Sequence, residues 1–104
     1  MKPSETLKAK KKELCALAKI WEDKGLFNLR IFGSVARGDD DEESDIDFVV
    51  RIGKGKNGRK LGLDFFAFAG ELEELLGTKV DLVSEDSCPE YLKKSIEKEA
   101  IPAW

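Results

Sequence analysis

Apolar residues recur at helical spacing along the first part of the chain: Leu7, Leu14, Leu17, Ala18 and Trp21, with lysines outside them and Gly25 as a stop. The spacing predicts an amphipathic helix over about residues 5–24, with Ser4 as its N-cap and Glu5 in its first turn. The period then changes. Phe27 to Phe32 reads as a short strand that stops at Gly33-Ser34, and Ser34 to Arg37 as one helical turn closed by Gly38. Beyond an acidic loop, Ile46 to Ile52 is a β-branched run that reads as a buried strand. The stretch GKGKNGRK, residues 53–60, reads as a mobile loop. From Leu63 to Leu76 the residues Phe65, Phe66, Ala69, Leu72, Leu75 and Leu76 define a second long helix. Gly70 lies inside it as a point of close backbone contact, and Gly77 caps its end. TKVDLV, residues 78–83, is a third strand; Pro89 then opens a last helix to about residue 100, and Pro102 ends it before a tail to Trp104.

The order α-β-(short α)-β-α-β-α predicts an α/β (α+β) fold with a small mixed sheet flanked by helices, in a single domain over residues 1–104. A chain of this length can bury one core without covalent staples. Composition adds mainly exclusions. The net charge of −3 argues against direct nucleic-acid binding through bulk charge. The opening MKPSETLKAKKKEL has no apolar signal core, and no apolar run reaches membrane-spanning length. Cys15 and Cys88 are too few for a disulfide scaffold and read as reduced thiols, so a cytoplasmic protein is expected. With no histidine and no paired cysteine motif, zinc sites and histidine-based catalysis are excluded.

The chemistry gathers in IFGSVARGDDDEESDIDFVVRI, residues 31–52, where seven of the nine residues from Asp39 to Asp47 are acidic. Asp39 to Glu43 read as a solvated loop and are not counted as ligands. Asp45 and Asp47, at the mouth of the second strand, are one residue apart and so share a face. Two ionised carboxylates side by side repel each other, and burial raises the cost. A divalent cation removes the conflict, and a donor set of oxygens without His or Cys favours Mg2+, with Mn2+ as the alternative ion. Asp81 lies within the third strand, which reads as buried, and an unpaired carboxylate amid a buried strand is costly. Should that strand lie beside the second, three carboxylates converge and can hold two metal ions for in-line displacement at phosphorus. Gly33 allows a sharp turn and a close approach to the backbone, and Ser34 begins a helical turn whose N–H groups can bind phosphate. Arg37 could reach a phosphate or brace the acidic loop. The equipment is that of nucleotidyl transfer. The basic loop side chains Lys54, Lys56, Arg59 and Lys60 read as solvated charge, and Phe65, Phe66 and Phe68 as core and interface.

Gly33-Ser34, ten residues, then Asp45-Ile46-Asp47 resembles the signature of the nucleotidyltransferase superfamily that includes DNA polymerase beta. FGSVARG followed by SDIDFVV, with ELEELLGTKVDLV beyond, is similar to the minimal nucleotidyltransferase (MNT) branch over nearly the whole chain. The resemblance implies a palm-like fold. It implies that Asp45 and Asp47 bind a nucleotide-borne Mg2+, that Asp81 joins them on a second Mg2+, and that Gly33 and Ser34 cradle the triphosphate of ATP or another NTP. It also implies a partner. MNT proteins are similar to antitoxins of HEPN-domain ribonuclease toxins, and some transfer AMP from ATP to a tyrosine of the toxin. The leading expectation is a protein adenylyltransferase acting as such an antitoxin. The rivals are a binding-only antitoxin, and a nucleotidyltransferase acting on a small molecule or an RNA end. The basic loop is longer than the branch leads one to expect.

Overall fold

The computed structural model describes residues 2–56, 58–59, 62 and 64–103. In chain order the elements are α1 (Pro3–Ala9), α2 (Lys11–Glu22), β1 (Leu26–Phe32), α3 (Gly33–Arg37), β2 (Ile46–Ile52), α4 (Asp64–Leu76), β3 (Val80–Ser84), α5 (Glu90–Glu99) and β4 (Ile101–Pro102). The sheet order is β3-β2-β1-β4. β1 runs antiparallel to β2 and to β4, whereas β2 and β3 are parallel, joined by the α4 crossover. The fold is thus the mixed sheet with flanking helices that the alternation of elements predicts.

Alternation along β2 separates two faces. Ile46, Phe48 and Val50 are buried with Leu14, Ala18 and Trp21 of α2 and Phe68, Leu72 and Leu76 of α4. Val49 points the other way, into a smaller cluster with Phe32 of β1 and Ile96 of α5. The smaller cluster leaves one end of that face open, and Asp47 lies there.

Several boundaries differ from the sequence reading. The first helix is two helices, turned at Lys10 (φ −104°, ψ 17°). Between Leu7 and Leu14 the only apolar residue is Ala9, amid four lysines, so nothing ties this stretch to the core as a continuous helix. The N-cap is Lys2, not Ser4; the Lys2 N–H donates to Glu5 Oε1 at 3.1 Å, and Pro3 takes the first helical position. The residues after α5 do not trail off: Ile101 and Pro102 pair with Ile31 and Arg30 as a fourth strand. Two residues, one a proline, carry no periodic signal, and an edge strand is where a missing N–H is tolerated. The third strand begins at Val80 rather than Thr78.

The basic loop is tied down where it is described. Gly53 N–H donates to the Gly25 carbonyl at 2.8 Å, and Lys56 N–H to the Asp23 carbonyl at 2.8 Å. A Cβ on Gly55 would stand 2.7 Å from the Asp23 carbonyl oxygen, so glycine is what lets the two chains touch. Lys56 Nζ lies 3.4 Å from Asp23 Oδ2 in a surface ion pair, and its side chain is 80% exposed, in keeping with a solvated charge. The expectations for Asn57, Lys60 and the helix start at Leu63 lie outside the described residues. Gly70 makes no close backbone contact: a Cβ there would meet nothing within 4 Å. Of the three phenylalanines, Phe68 is buried while Phe66 is 70% exposed.

Candidate active site

The turn out of β1 brings the glycine-serine pair against the β2 carboxylates. Phe32, the last residue of β1, is the register partner of Asp47. Gly33 follows with φ +76°, a left-handed conformation that favours glycine. A Cβ at Gly33 would stand 2.5 Å from Asp47 Oδ2, so the Asp47 carboxylate rests on the bare Gly33 Cα. The cap position of α3 belongs to Phe32, and Ser34 is the second residue of the helix. The Ser34 hydroxyl is therefore not used as an N-cap. Gly38 closes α3 in the left-handed region (φ 81°, ψ 16°), and Asp39 N–H returns to the Ser34 carbonyl at 3.0 Å.

The parallel pairing of β2 with β3 sets Asp47 directly beside Asp81. Side chains in register on adjacent strands share a face, so Asp81 lies on the face that carries Asp47. Its environment differs from expectation. Asp81 is exposed, because β3 is an edge strand and only Val80 in it is buried. Asp45 lies just before β2 begins, half-buried, with Lys79 Nζ 4.0 Å from its Oδ2. Asp47 is half-buried, and its pKa is raised by that burial, then by the charges of Asp81 and Asp45; Arg37 pulls the other way.

Among the described residues no three acidic, cysteine or histidine side chains are gathered as a ready metal cluster. Asp45, Asp47 and Asp81, whose convergence is expected from sequence, are thus not drawn together as a ready site, and the Asp47 pKa is raised first by burial and then by the charges of Asp81 and Asp45. The donor set is oxygen throughout, which fits a hard divalent cation such as Mg2+.

Arg37 is placed as a brace. Its Nε lies 3.2 Å from Asp39 Oδ2 and its Nη1 3.0 Å from Glu99 Oε2, and these partners, Asp39 foremost, raise its pKa. The acidic loop also holds a residue that sequence reasoning dismissed. Asp40 is 5% exposed, the one buried charged residue described, and its Oδ2 accepts the Ser4 N–H at 3.0 Å. Burial alone would raise its pKa, but hydrogen bonds from Ser4 and from its own backbone, with the charge of Lys2, outweigh that and lower it. Asp40 thereby pins the loop that leads into Asp45 and Asp47 to the start of α1. The charge run concealed it, since nothing in DDDEE sets one carboxylate apart.

The chain resembles known proteins along most of its length. Residues 11–103 match the family described as nucleotidyltransferase domain. A Methanocaldococcus jannaschii protein named "Putative protein adenylyltransferase MJ1379" is 38% identical over 99 residues, which is 93% of this chain and 97% of that one. A solved structure assigned to the minimal nucleotidyltransferases superposes with a TM-score of 0.75 at 35% identity, over 92% of this chain and 94% of its own. A crystal structure of a toxin–antitoxin with AMP-PNP superposes with a TM-score of 0.66 at 26% identity, over 83% of this chain and 68% of that chain.

Proposed function

Because the chain belongs to the nucleotidyltransferase domain family, we propose that it transfers AMP from ATP to a tyrosine hydroxyl of a HEPN-type toxin and so acts as that toxin's antitoxin. One observation carries the transfer chemistry: Asp47 is in register with Asp81 and rests on Gly33, so carboxylates and turn form one site. The partner is supported by kinship. The relative in M. jannaschii bears a protein adenylyltransferase name, and the toxin–antitoxin structure of like fold was solved with AMP-PNP.

In this reading the bare Gly33 backbone and the Ser34 hydroxyl receive triphosphate oxygens. Asp45 and Asp47 would hold the nucleotide's Mg2+, and Asp81 with both would hold a second. Bound there, the ions neutralise charge at the α-phosphate and favour the ionised acceptor hydroxyl. Asp81, exposed on the edge strand, meets the acceptor and orients its hydroxyl. The hydroxyl oxygen bonds to the α-phosphorus as the bond to pyrophosphate breaks; pyrophosphate leaves, and the hydroxyl proton departs by way of Asp81. Arg37 contributes only if phosphate displaces Asp39, the more exposed of its two partners.

The test compares ATP labelled at the α-phosphate with ATP labelled at the γ-phosphate, in Mg2+ and lysate of the source organism. Wild-type protein is set against the Asp45→Asn/Asp47→Asn double variant. A protein band labelled only from α-labelled ATP, and only by wild type, is expected. Labelling from the γ-position, or equal labelling by the variant, would overturn the reading. Tight capture of a partner that is neither labelled nor sensitive to the variant would favour an antitoxin that acts by binding alone.

A further inference from the structure

The parallel ladder fixes which backbone groups of β3 remain unpaired. Ile46 N–H donates to the Lys79 carbonyl at 3.1 Å, and Glu85 N–H to the Val50 carbonyl at 2.8 Å. With Ile46 opposite Val80 and Phe48 opposite Leu82, residues 79, 81, 83 and 85 aim their N–H and C=O groups at β2. Val80, Leu82 and Ser84 aim theirs outward. Glu73 Oε1 accepts the Val80 N–H at 3.4 Å, and the Ser84 carbonyl accepts the Ser87 N–H at 3.2 Å. Among the described residues, the C=O of Val80, the N–H and C=O of Leu82 and the N–H of Ser84 are left at the open edge. Within β3 itself there is no proline, no lysine and no bulge: VDLVS pairs regularly with β2 and carries one charge, Asp81.

Around this edge runs an apolar groove of about 420 Å³, with Phe65, Phe66 and Leu82 on the α4 side and Val83, Cys88 and Leu92 on the α5 side. A strand laid along β3 would place alternate side chains into the two halves. The charges that adjoin groove residues in sequence are mostly acidic: Asp64, Asp81, Glu85, Asp86 and Glu90 against Arg51 and Lys93. The groove is also continuous with the candidate active site, since Asp81 and Val83 point to the same face as Asp47.

We propose that the free edge of β3 is the docking strip for the polypeptide acceptor. The acceptor lies there as an extended segment, apolar at alternate positions and carrying lysine or arginine beyond them, with its hydroxyl residue beside Asp81. The proposal rests on the reading that the acceptor is a protein. Pairing with Leu82 puts the next residue of the added strand about 5 Å from Asp81, on its face, by ordinary strand spacing. Main-chain bonds then supply affinity and the two half-grooves supply selectivity. A second copy of this chain is a poorer occupant, since it would bring the same carboxylates to the edge.

The probe is a pooled library of ten-residue peptides with one central Tyr, Ser or Thr, apolar residues alternating around it and Lys or Arg outside. Its binding to the full chain is read by amide hydrogen exchange without nucleotide, beside the same library N-methylated at alternate residues. Exchange at Leu82 and Ser84 is expected to slow at least about tenfold with the first library and not with the second. Phe66→Ser, at an exposed side chain, and Leu82→Pro, which removes one outward donor, are each expected to weaken binding by about tenfold. Unchanged exchange at Leu82 and Ser84 overturns the proposal, as does a concentration-dependent dimer that protects those amides without peptide. AMP transfer to a peptide that leaves Leu82 unprotected overturns the docking strip and leaves the transfer reading standing. Protection without transfer does the reverse.

Discussion

Asp47 and Asp81 are register partners on neighbouring parallel strands, and a Cβ on Gly33 would collide with the first of them. One carboxylate is thus held between a like charge and a backbone turn. Burial, then Asp81 and Asp45, raise its pKa, so the folded protein is built against its own ionised form.

That arrangement has a sign in stability. A carboxyl whose folded pKa lies above its unfolded value binds protons better when folded, so stability falls as pH rises through the window between the two. Asp47→Asn removes this loss. In metal-free buffer at neutral pH the variant is expected to melt at or above wild type, with a flatter dependence of Tm on pH from 3 upward. Adding Mg2+ should raise the wild-type Tm and leave the variant's nearly unmoved. A variant that melts well below wild type in chelator would show that Asp47 is a structural carboxylate.

Gly33 is the backbone half of the same contact. Gly33→Ala meets two costs: a left-handed φ of +76° and a Cβ 2.5 Å from Asp47 Oδ2. Left-handed backbone costs about 1–2 kcal/mol for a residue with a Cβ, and the collision adds to it. Urea unfolding is expected to show a loss of roughly 2–3 kcal/mol. In an Asp47→Ala background the loss should shrink towards the conformational cost alone. An undiminished loss there would separate Gly33 from the carboxylate and weaken the single-site reading.

Much of this was legible because the signals were local. The positions of Gly33-Ser34 before a helical turn, of Asp47 on a β-branched strand and of Asp81 in VDLV can all be read from their immediate neighbours. What escaped depends on distant parts of the chain. Asp40 is indistinguishable from Asp39 and Asp41 until Ser4 is brought to it. Arg37 takes Glu99 as a partner 62 residues away. The exposure of Asp81 follows from strand order, which α-β alternation does not fix; its partner strand β2 is interior only because β1 lies beyond it. Ile101 and Pro102 become a strand only because β1 offers a free edge.

Asp40 should matter more than its setting in an acidic run suggests. Its folded pKa is lowered, so its contribution is present above the unfolded value and is lost as pH falls through the folded one. Asp40→Ala strips the Ser4 N–H of a charged acceptor and should cost about 1–2 kcal/mol at pH 7. The deficit against wild type should narrow in acid. Glu43→Ala, on an exposed neighbour, is the control and should cost under about 0.5 kcal/mol. Equal effects of the two substitutions would remove the special standing of Asp40.

Gly70 offers the opposite kind of test, a substitution that should help. It lies inside α4, exposed, and a Cβ there meets no atom within 4 Å. Its φ is not in the left-handed region, unlike those of Gly38 and Gly77, which follow the ends of helices. Glycine in such a position costs backbone entropy on folding and returns no contact. Gly70→Ala should therefore stabilise the protein by about 0.5–1 kcal/mol, or a few degrees in Tm for a domain of this size. AMP transfer should be unchanged, since the residue adjoins neither the carboxylates nor the β3 groove. A substitution that destabilises would mean that the exposed face of α4 at Gly70 is covered in the folded protein. One that stabilises but slows transfer would place a partner's contact there.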